Sequence, residues 1–286
     1  MKEEGIGPGQ IIRRKQDGAL EYLHDELTIE EPLEIRIGDK TVATTMRTPG
    51  HDEELAAGFL ISEAIVRNCR DIVNISGRNY PDLNPLARGE ADAPAPVRDN
   101  VVVVHLAKDL KANLNAMQRF GTISSSCGIC GKESIDAIRQ KFPPVQSTSF
   151  RMQIETLLSL PQKLQDRQGD FARTGGIHAA GIFDAKGDAS IVREDIGRHN
   201  AVDKVIGRAF LDCALPLHRH VLLVSGRASF EIMQKALAAG IPIVASISAP
   251  STLALQFARE NNQTLIGFLR PPSFNIYAHV ERVVLS

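Results

Sequence analysis

Short apolar runs alternate with amphipathic stretches in the second half of the chain. The runs "HVLLVSG", "IPIVASIS" and "TLIGFL" are typical of buried strands. Between them, "RASFEIMQKALAAG" and "APSTLALQFARENN" predict helices, the first of them closed by Gly240. This β-α-β-α-β order predicts a parallel sheet with right-handed crossovers.

The first half of the chain is less regular. "LTIEEPLEIRIGDKTVATTMRT" predicts two strands that turn at Gly38–Asp39–Lys40, and "VVVVHL" predicts a buried strand. "TPGHDEELAAGFLISEAIVRN" predicts a helix with Thr48 as its N-cap, and "AKDLKANLNAMQRF" predicts another that ends at Gly121. Residues 77–99 are rich in Pro, Asp and Asn without periodicity, and we expect a surface loop there.

These elements predict an α/β protein, α+β overall, with two domains. We expect a mobile tail over residues 1–20 and a smaller N-terminal α+β domain over 21–145, ending in the cysteine loop and its helix. An α/β domain with a largely parallel central sheet is expected over 146–286. The double proline Pro143–Pro144 marks the predicted boundary.

The composition narrows the classes of protein to which this chain can belong. The 286 residues carry a net charge of −1, which argues against a broad nucleic-acid-binding surface. No apolar run approaches the roughly 20 residues of a membrane span, and the polar start lacks the apolar region of a secretory signal. We therefore expect a cytoplasmic protein without membrane or nucleic-acid partners. Four cysteines in such a chain do not make a disulfide framework.

Two of the cysteines lie in "SSSCGICGKESID", a loop rich in serine and glycine. If a helix begins near Gly131, its positive end and Lys132 favour a thiolate at Cys127 or Cys130. A structural zinc site needs about four ligands, and Cys69 and Cys213 stand alone without an assigned role. The pattern favours a nucleophile and no permanently bound metal, but zinc bound with scattered histidines and dithiol redox chemistry stay open.

Two loops of the predicted parallel sheet are chemically alike. "SGRAS" and "SISAPS" each place hydroxyls and backbone amides at a helix start, where anions bind, and an arginine in the first is suited to clamp phosphate. The alternative is a pair of serine N-caps and a surface arginine. The residues of this predicted cradle are Ser225, Gly226, Arg227, Ser229, Ser246 and Ser248.

Histidines with acidic or glycine neighbours form a further group of candidates. In "REDIGRHNAVDKVIGRAF", Asp195, His199 and Asp203 would line one stripe of a helix, either as a proton-carrying or amine-binding site or as an ion-pair ladder. His178 follows two glycines in "RTGGIHAAGIF", where a half-buried structural histidine is the alternative to a ligand contact. Zinc deaminases carry H-x-E, but His178 is followed by Ala179–Ala180, which argues against deamination.

Taken together, these segments resemble the FdhD/NarQ family, the formate dehydrogenase accessory sulfurtransferases. The resemblance is carried by "TPGHDEELAAGFLISEAI", "SSSCGICGKESI", "TGGIHAAGIF", "REDIGRHNAVDKVIGRAF", "SGRASFEIMQKALAAGIPIVASISAPS" and "TLIGFLRPPSFNIY". These segments span most of residues 48–279 in one order, whereas the C-x-x-C alone would not be specific.

The resemblance implies a sulfur carrier. Cys127 would take persulfide sulfur from a cysteine desulfurase, with Cys130 assisting, and pass it to the molybdenum or tungsten bis-molybdopterin guanine dinucleotide that formate dehydrogenase requires. The family also implies a cytidine-deaminase-like second domain and a homodimer. Its cofactor contact would fall on "FLRPPS", and the serine loops and the histidine motifs would complete the pocket. The added residues are Phe268, Arg270 and Ser273 from the former and Asp195, His199 and His178 from the latter. A non-enzymatic cofactor-binding chaperone and a dithiol oxidoreductase are the alternatives.

Overall fold

Four sheets and six helices make up the described part of the molecule. The computed structural model describes residues 5–80, 98–107, 110, 142–146 and 150–285. The predicted helix that ends at Gly121 and both cysteines of the C-x-x-C motif lie outside these residues. Among the described helices, none is long and apolar enough to cross a bilayer.

The N-terminal elements form a hairpin and a four-stranded sheet. The hairpin pairs β1 (Ile6–Arg14) with β2 (Leu20–Thr28), whereas the sequence predicted a mobile tail over residues 1–20. The difference arises because the antiparallel register gives β1 backbone partners that its own polar pattern does not suggest. The sheet has the order β4-β3-β6-β5. Its strands are β3 (Glu31–Ile37), β4 (Lys40–Arg47), β5 (Ile72–Tyr80) and β6 (Arg98–Leu106).

The predicted turn at Gly38–Asp39–Lys40 is confirmed, since β3 and β4 pair antiparallel on either side of it. The predicted loop over residues 77–99 was too long, because both of its ends belong to the paired strands β5 and β6. The helix α1 (Asp52–Ser62) packs against this sheet. The predicted N-cap of α1 was wrong: the cap is His51, whose backbone is left-handed, and Thr48 instead contacts the second half of the chain.

A six-stranded mixed sheet organises the second half, in the order β13-β12-β11-β10-β8-β9. The predicted alternation of strands and helices is confirmed for β10, β11 and β12, which pair in parallel. The sheet is not largely parallel, however, because β8, β9 and β13 join it antiparallel. The strands are β8 (His178–Phe183), β9 (Ala189–Asp195), β10 (Val221–Val224), β11 (Ile243–Ser246), β12 (Thr264–Arg270) and β13 (Ser273–Ala278).

Helices cover both faces of this sheet. One face carries α4 (Arg198–Leu211), α5 (Phe230–Ala238) and α6 (Thr252–Glu260). The other face packs on α2 (Ile154–Gln165), followed by the short α3 (Gly169–Thr174). A two-stranded pair joins β7 (Met152–Gln153) to β14 (Val283–Val284). Burial of apolar side chains on both faces explains why β10 and β11 are uninterrupted apolar runs.

The helix α1 packs antiparallel against α4 at very short range. A Cβ on Gly58 would lie 1.9 Å from the carbonyl oxygen of Asp203, and a Cβ on Gly207 would lie 1.7 Å from that of Glu54. Only residues without side chains allow this approach. The apolar cluster beneath it is continuous from Leu33 to α6, so the N-terminal sheet, α1 and α4 share one core.

Ion pairs and a hydrogen bond hold the elements around this contact together. Glu54 of α1 accepts two hydrogen bonds from Arg193 of β9, at 2.6 and 2.8 Å. Asp203 of α4 binds Lys235 of α5 through both carboxylate oxygens at 2.7 Å and accepts a hydrogen bond from Ser62. Burial alone raises the pKa of Glu54, but hydrogen bonds from His51 and Arg193 and their charges lower it from the ordinary 4.5 to about 2.

We predict that Gly58→Ala destabilises the fold by at least about 2 kcal/mol, because the new methyl group forces α1 away from α4. Urea unfolding of the purified variant measures the loss. Gly169→Ala is the matched control, since a Cβ there meets nothing within 4 Å. Equal unfolding free energies for the two variants would contradict the close helix contact.

Glu54→Gln tests the ion pair with Arg193 through pH. Because the folded state lowers the pKa of Glu54, its stabilisation is fully present above pH 4.5 and is lost as the pH falls toward about 2. We expect the variant to be less stable than the wild type at pH 7 by on the order of 2 kcal/mol and the difference to shrink toward pH 3. Urea unfolding across this range measures it, with Glu53→Gln, on the exposed side of the same turn, as the control. A difference that is constant with pH would refute the assignment.

Candidate functional site

The carboxyl ends of the central strands and the starts of three helices meet at one edge of the six-stranded sheet. His178 at the start of β8 pairs with Asp195 at the end of β9, and Val224 at the end of β10 pairs with Ser246 at the end of β11. The helices α4, α5 and α6 begin directly after β9, β10 and β11. Ligands of α/β proteins bind at such edges, where helix N-termini present backbone amides and partial positive charge.

The two serine-rich loops lie side by side at this edge, as an anion cradle requires. Ala228 and Pro250 form a bridge, and the amide of Ser251 donates to the carbonyl of Ala228 at 3.0 Å. The hydroxyl of Ser251 accepts from the amide of Ala254 and so caps α6. For Ser251, the alternative prediction of a serine N-cap is therefore correct. The two loops therefore form one continuous surface.

Ser246 joins the loops and does not face outward. Its side chain is fully buried, and its hydroxyl donates to the carbonyl of Gly226 at 2.7 Å and accepts from the amide of Ser248 at 3.0 Å. The carbonyl of Ser248 in turn accepts from the amide of Phe268 at 3.0 Å. Ser246 thus fixes the shape of the edge, whereas a direct contact with an anion was predicted for it.

Ser225 and His178 form a second contact between strands. The hydroxyl of Ser225 accepts from the amide of Ala179 at 2.9 Å and lies 3.4 Å from Nδ1 of His178. Burial lowers the pKa of His178, and the charges of Arg198 and His199 lower it further. These causes favour the neutral imidazole of His178, and the guanidinium of Arg198 nearby favours the arrival of negative charge.

Arg198 is the functional candidate that sequence reasoning missed. It is the first residue of α4, and a Cβ on Gly226 would lie 3.3 Å from both Cβ and Cδ of Arg198 and 3.4 Å from Nδ1 of His178. Its Nε is buried without a hydrogen-bond partner among the described residues. A buried donor of this kind is costly unless an acceptor reaches it. The signal in the sequence was an arginine directly after the Ile196–Gly197 turn.

The predicted stripe of Asp195, His199 and Asp203 was wrong. Asp195 ends β9 and only the other two belong to α4, because the chain turns at Ile196–Gly197 before the helix begins. Asp195 is fully buried and pairs with Lys204 at 2.7 Å, and it accepts hydrogen bonds from Gly197 and Asn200.

His199 has a separate partner on α5. Its Nε2 lies 2.8 Å from Oε2 of Glu231 and 3.2 Å from the hydroxyl of Ser229. The hydrogen bond from His199 is the main cause that lowers the pKa of Glu231. The pair holds the starts of α4 and α5 together, and it places an imidazole beside Ser229, which precedes α5.

Phe268 and Arg270 form the far side of the edge, at the end of β12. Phe268 has a left-handed backbone, φ 50°, a conformation that is unfavourable for residues other than glycine. Its side chain is 39% exposed. The guanidinium of Arg270 lies 5.9 Å from the centroid of its ring, and Nε of Arg270 donates to the carbonyl of Ile247 at 2.9 Å. Together they present an aromatic face and a cation to solvent.

Two further predicted residues are exposed near these groups. Ser273 begins β13 and its hydroxyl lies 3.4 Å from the carbonyl of Arg270. Arg227 is exposed in the first serine loop, and within the described ranges it has no ion-pair partner. The edge therefore gathers several cationic side chains around serine hydroxyls and the starts of three helices. The fold defines an α/β protein, and the edge has the composition that favours anions.

Comparison with known proteins identifies the family. The family model described as "FdhD/NarQ family" matches residues 28–284, and the chain belongs to that family. The chain is 47% identical over 279 residues to the protein named sulfur carrier protein FdhD of Streptomyces coelicolor, covering 96% of this chain and 94% of the relative. The proteins of that name from Mycobacterium tuberculosis and Sulfurisphaera tokodaii are 46% and 41% identical, each covering 91% of this chain and 92% of the relative.

A solved structure shares the fold. It is described as a candidate formate dehydrogenase accessory protein from Desulfotalea psychrophila, with a TM-score of 0.73 and 22% identity over 98% of this chain and 100% of that one. The predicted family and the mixed α/β class are thereby confirmed. The cytidine-deaminase likeness and the domain limits stay predictions.

Proposed function

We propose that this protein carries sulfur for the maturation of formate dehydrogenase, with Cys127 as the residue that holds the persulfide. Its curated relatives are named sulfur carrier proteins, and the matched family range includes the "CGIC" motif. The observation that carries the proposal is the pairing of this motif with an anion-binding edge in one chain. A carrier needs both a nucleophilic thiol and a place to hold the molecule that receives the sulfur.

Sulfur is transferred from the desulfurase to the acceptor metal in three steps. The Cys127 thiolate attacks the terminal sulfur of a persulfide on a cysteine desulfurase, and the desulfurase thiolate leaves. Cys130 then attacks the inner sulfur at Cys127, which forms a disulfide and releases the terminal sulfur as sulfide. Sulfide replaces an oxo ligand of the acceptor metal, which leaves as water with two protons, and a dithiol reductant restores both thiols.

The proposed acceptor is a molybdenum or tungsten bis-molybdopterin guanine dinucleotide, bound as cargo at the sheet edge. Its diphosphates suit the helix starts and Arg198, while Phe268 and Arg270 suit a planar base or a further phosphate. The proposed partners are the cysteine desulfurase, the formate dehydrogenase that takes the finished cofactor, and a second copy of this chain in a homodimer. Cys130 completes the transfer but is not needed for loading.

Cys127→Ala tests the carrier step. We expect the wild type to gain one sulfur atom on the peptide that contains Cys127 after incubation with a cysteine desulfurase and cysteine. The gained sulfur should be lost on treatment with a thiol reductant. The variant should gain none on that peptide, because the attacking thiolate is gone. Peptide mass spectrometry measures both.

Cys130→Ala is the matched control for loading, since it lies three residues from Cys127 in the sequence and leaves Cys127 intact. We expect it to load and to release its sulfur more slowly. An unmodified wild-type peptide beside an active desulfurase would refute the carrier role. The non-enzymatic binding chaperone would then be the better reading.

Arg198→Gln tests the cargo site. We expect at least about a tenfold loss of affinity for guanosine diphosphate and little change for guanosine, because the lost contact is with phosphate. Isothermal titration calorimetry measures both ligands. Arg208→Gln is the control, because Arg208 lies in the last turn of the same helix and pairs with Asp212. Equal losses in the two variants would assign Arg198 a structural role only.

A further inference from the structure

The two cysteines without an assigned role in the sequence are bonded to each other. Cys69 and Cys213 form a disulfide across 144 residues of sequence, which corrects the expectation that both stand alone. The pattern could not reveal it, because the partners meet only when α4 packs beside the N-terminal sheet. The bond ties the turn that precedes β5 to the C-terminal end of α4, and so links the two sheets covalently.

Cys213 occupies a position that normally selects glycine. Its amide donates to the carbonyl of Phe210 and the amide of Ala214 donates to that of Ala209, both at 2.9 Å, which is the Schellman arrangement after a helix. Cys213 itself is left-handed, with φ 54°. A side chain is unfavourable there, so a cysteine in place of glycine indicates that its sulfur has a use.

Cys69, the partner of Cys213 in the disulfide, lies in a turn that hydrogen bonds stabilise. Cys69 begins a 3₁₀ turn whose Asp71 carboxylate accepts from the amides of Arg67 and Asn68, at 2.7 and 2.9 Å. The carbonyl of Asp71 accepts from the amide of Ala107, which fixes the turn to the end of β6. Cys69 is partly buried against the core, whereas Cys213 is exposed. A nucleophile in solution therefore reaches the sulfur of Cys213 first.

We propose that Cys69 and Cys213 form a thiol-exchange site, a reversible latch between the N-terminal sheet and α4 that a small thiol opens. The thiolate attacks Sγ of Cys213, the bond to Cys69 breaks, and Cys69 leaves as a thiolate that takes up a proton. A second thiolate then attacks the mixed disulfide, which releases Cys213. Two small thiols become one disulfide, and the protein gains two electrons and two protons. Disulfides that occur in reducing compartments are mostly transient or redox-sensing.

The latch also separates the four cysteines into two classes. While it is closed, Cys69 and Cys213 carry no free thiol, so two of the four cysteines in the sequence are withdrawn from thiol chemistry. Opening it adds two thiols and removes a crosslink that closes a long loop of the unfolded chain. The stabilisation from such a crosslink grows with loop length. The inference does not depend on sulfur carriage.

The experiment begins with the full-length protein purified without reductant. Native alkylation followed by mass spectrometry should leave Cys69 and Cys213 unlabelled. After reduced glutathione, without denaturant, all four cysteines should be labelled. The melting temperature should fall by about 10 °C on this reduction. Labelling of Cys69 or Cys213 before reduction, or their reduction only after unfolding, would overturn the proposal.

Three variants separate the latch from other effects of reductant. Cys127→Ser/Cys130→Ser should keep the fall in melting temperature, and Cys69→Ser/Cys213→Ser should melt at the lower temperature with or without reductant. Cys213→Gly should melt above the reduced wild type, because glycine accepts the left-handed conformation, but below the oxidised wild type. A shift that disappears with the first variant instead of the second would refute the latch.

Discussion

The close contact between α1 and α4 is the constraint on which the rest of the molecule depends. Carbonyl groups of each helix approach the other at Gly58 and Gly207, at distances that exclude any side chain. The motif around α1 is therefore tied to the motif around α4 by sterics, although about 140 residues separate them in sequence. The pairs Glu54–Arg193 and Ser62–Asp203 hold the same two segments together through charge and hydrogen bonding.

This contact determines the position of the anion-binding edge. The buried pair of Asp195 and Lys204 spans the start of α4, and Lys204 also donates to the carbonyl of Thr48 at 2.9 Å. The hydroxyl of Thr48 accepts from the amide of Ile196, in the turn that precedes Arg198. The N-terminal segment thus supports the turn from behind, so that buried residues hold Arg198 and His199 toward the edge.

Much of the fold could be predicted from local pattern, and the parts that could not are long-range. The β10-α5-β11-α6-β12 unit follows from short apolar runs, helical periodicity and Gly240, because each signal lies within the element it predicts. The antiparallel addition of β8, β9 and β13, the strand β1 and the Cys69–Cys213 bond depend on partners distant in sequence. No local pattern encodes them.

The site shows the same division. The two serine loops were predicted from their position before helices, yet Ser246 serves the backbone, since burial rather than residue type decides which hydroxyls are free. The prediction that Asp195, His199 and Asp203 line one stripe of a helix was wrong because a two-residue turn separates them. Asp195 lies in the strand before this turn, and the other two lie in the helix after it. Arg198 was passed over because its significance comes from a buried Nε beside Gly226 that has no hydrogen-bond partner within the described ranges, and sequence carries no measure of burial.

The charged groups at the edge favour an anionic ligand. The carboxylate of Asp195 is paired with Lys204 and that of Glu231 with the imidazole of His199, so neither is free to act as a general base. Arg198, Arg227 and Arg270 bring positive charge that a phosphate-bearing molecule can neutralise. A site of this composition favours a phosphate-bearing ligand, as the proposed function requires. The reactive thiol of that proposal comes from the "CGIC" segment, so binding and sulfur carriage are assigned to different segments of the chain.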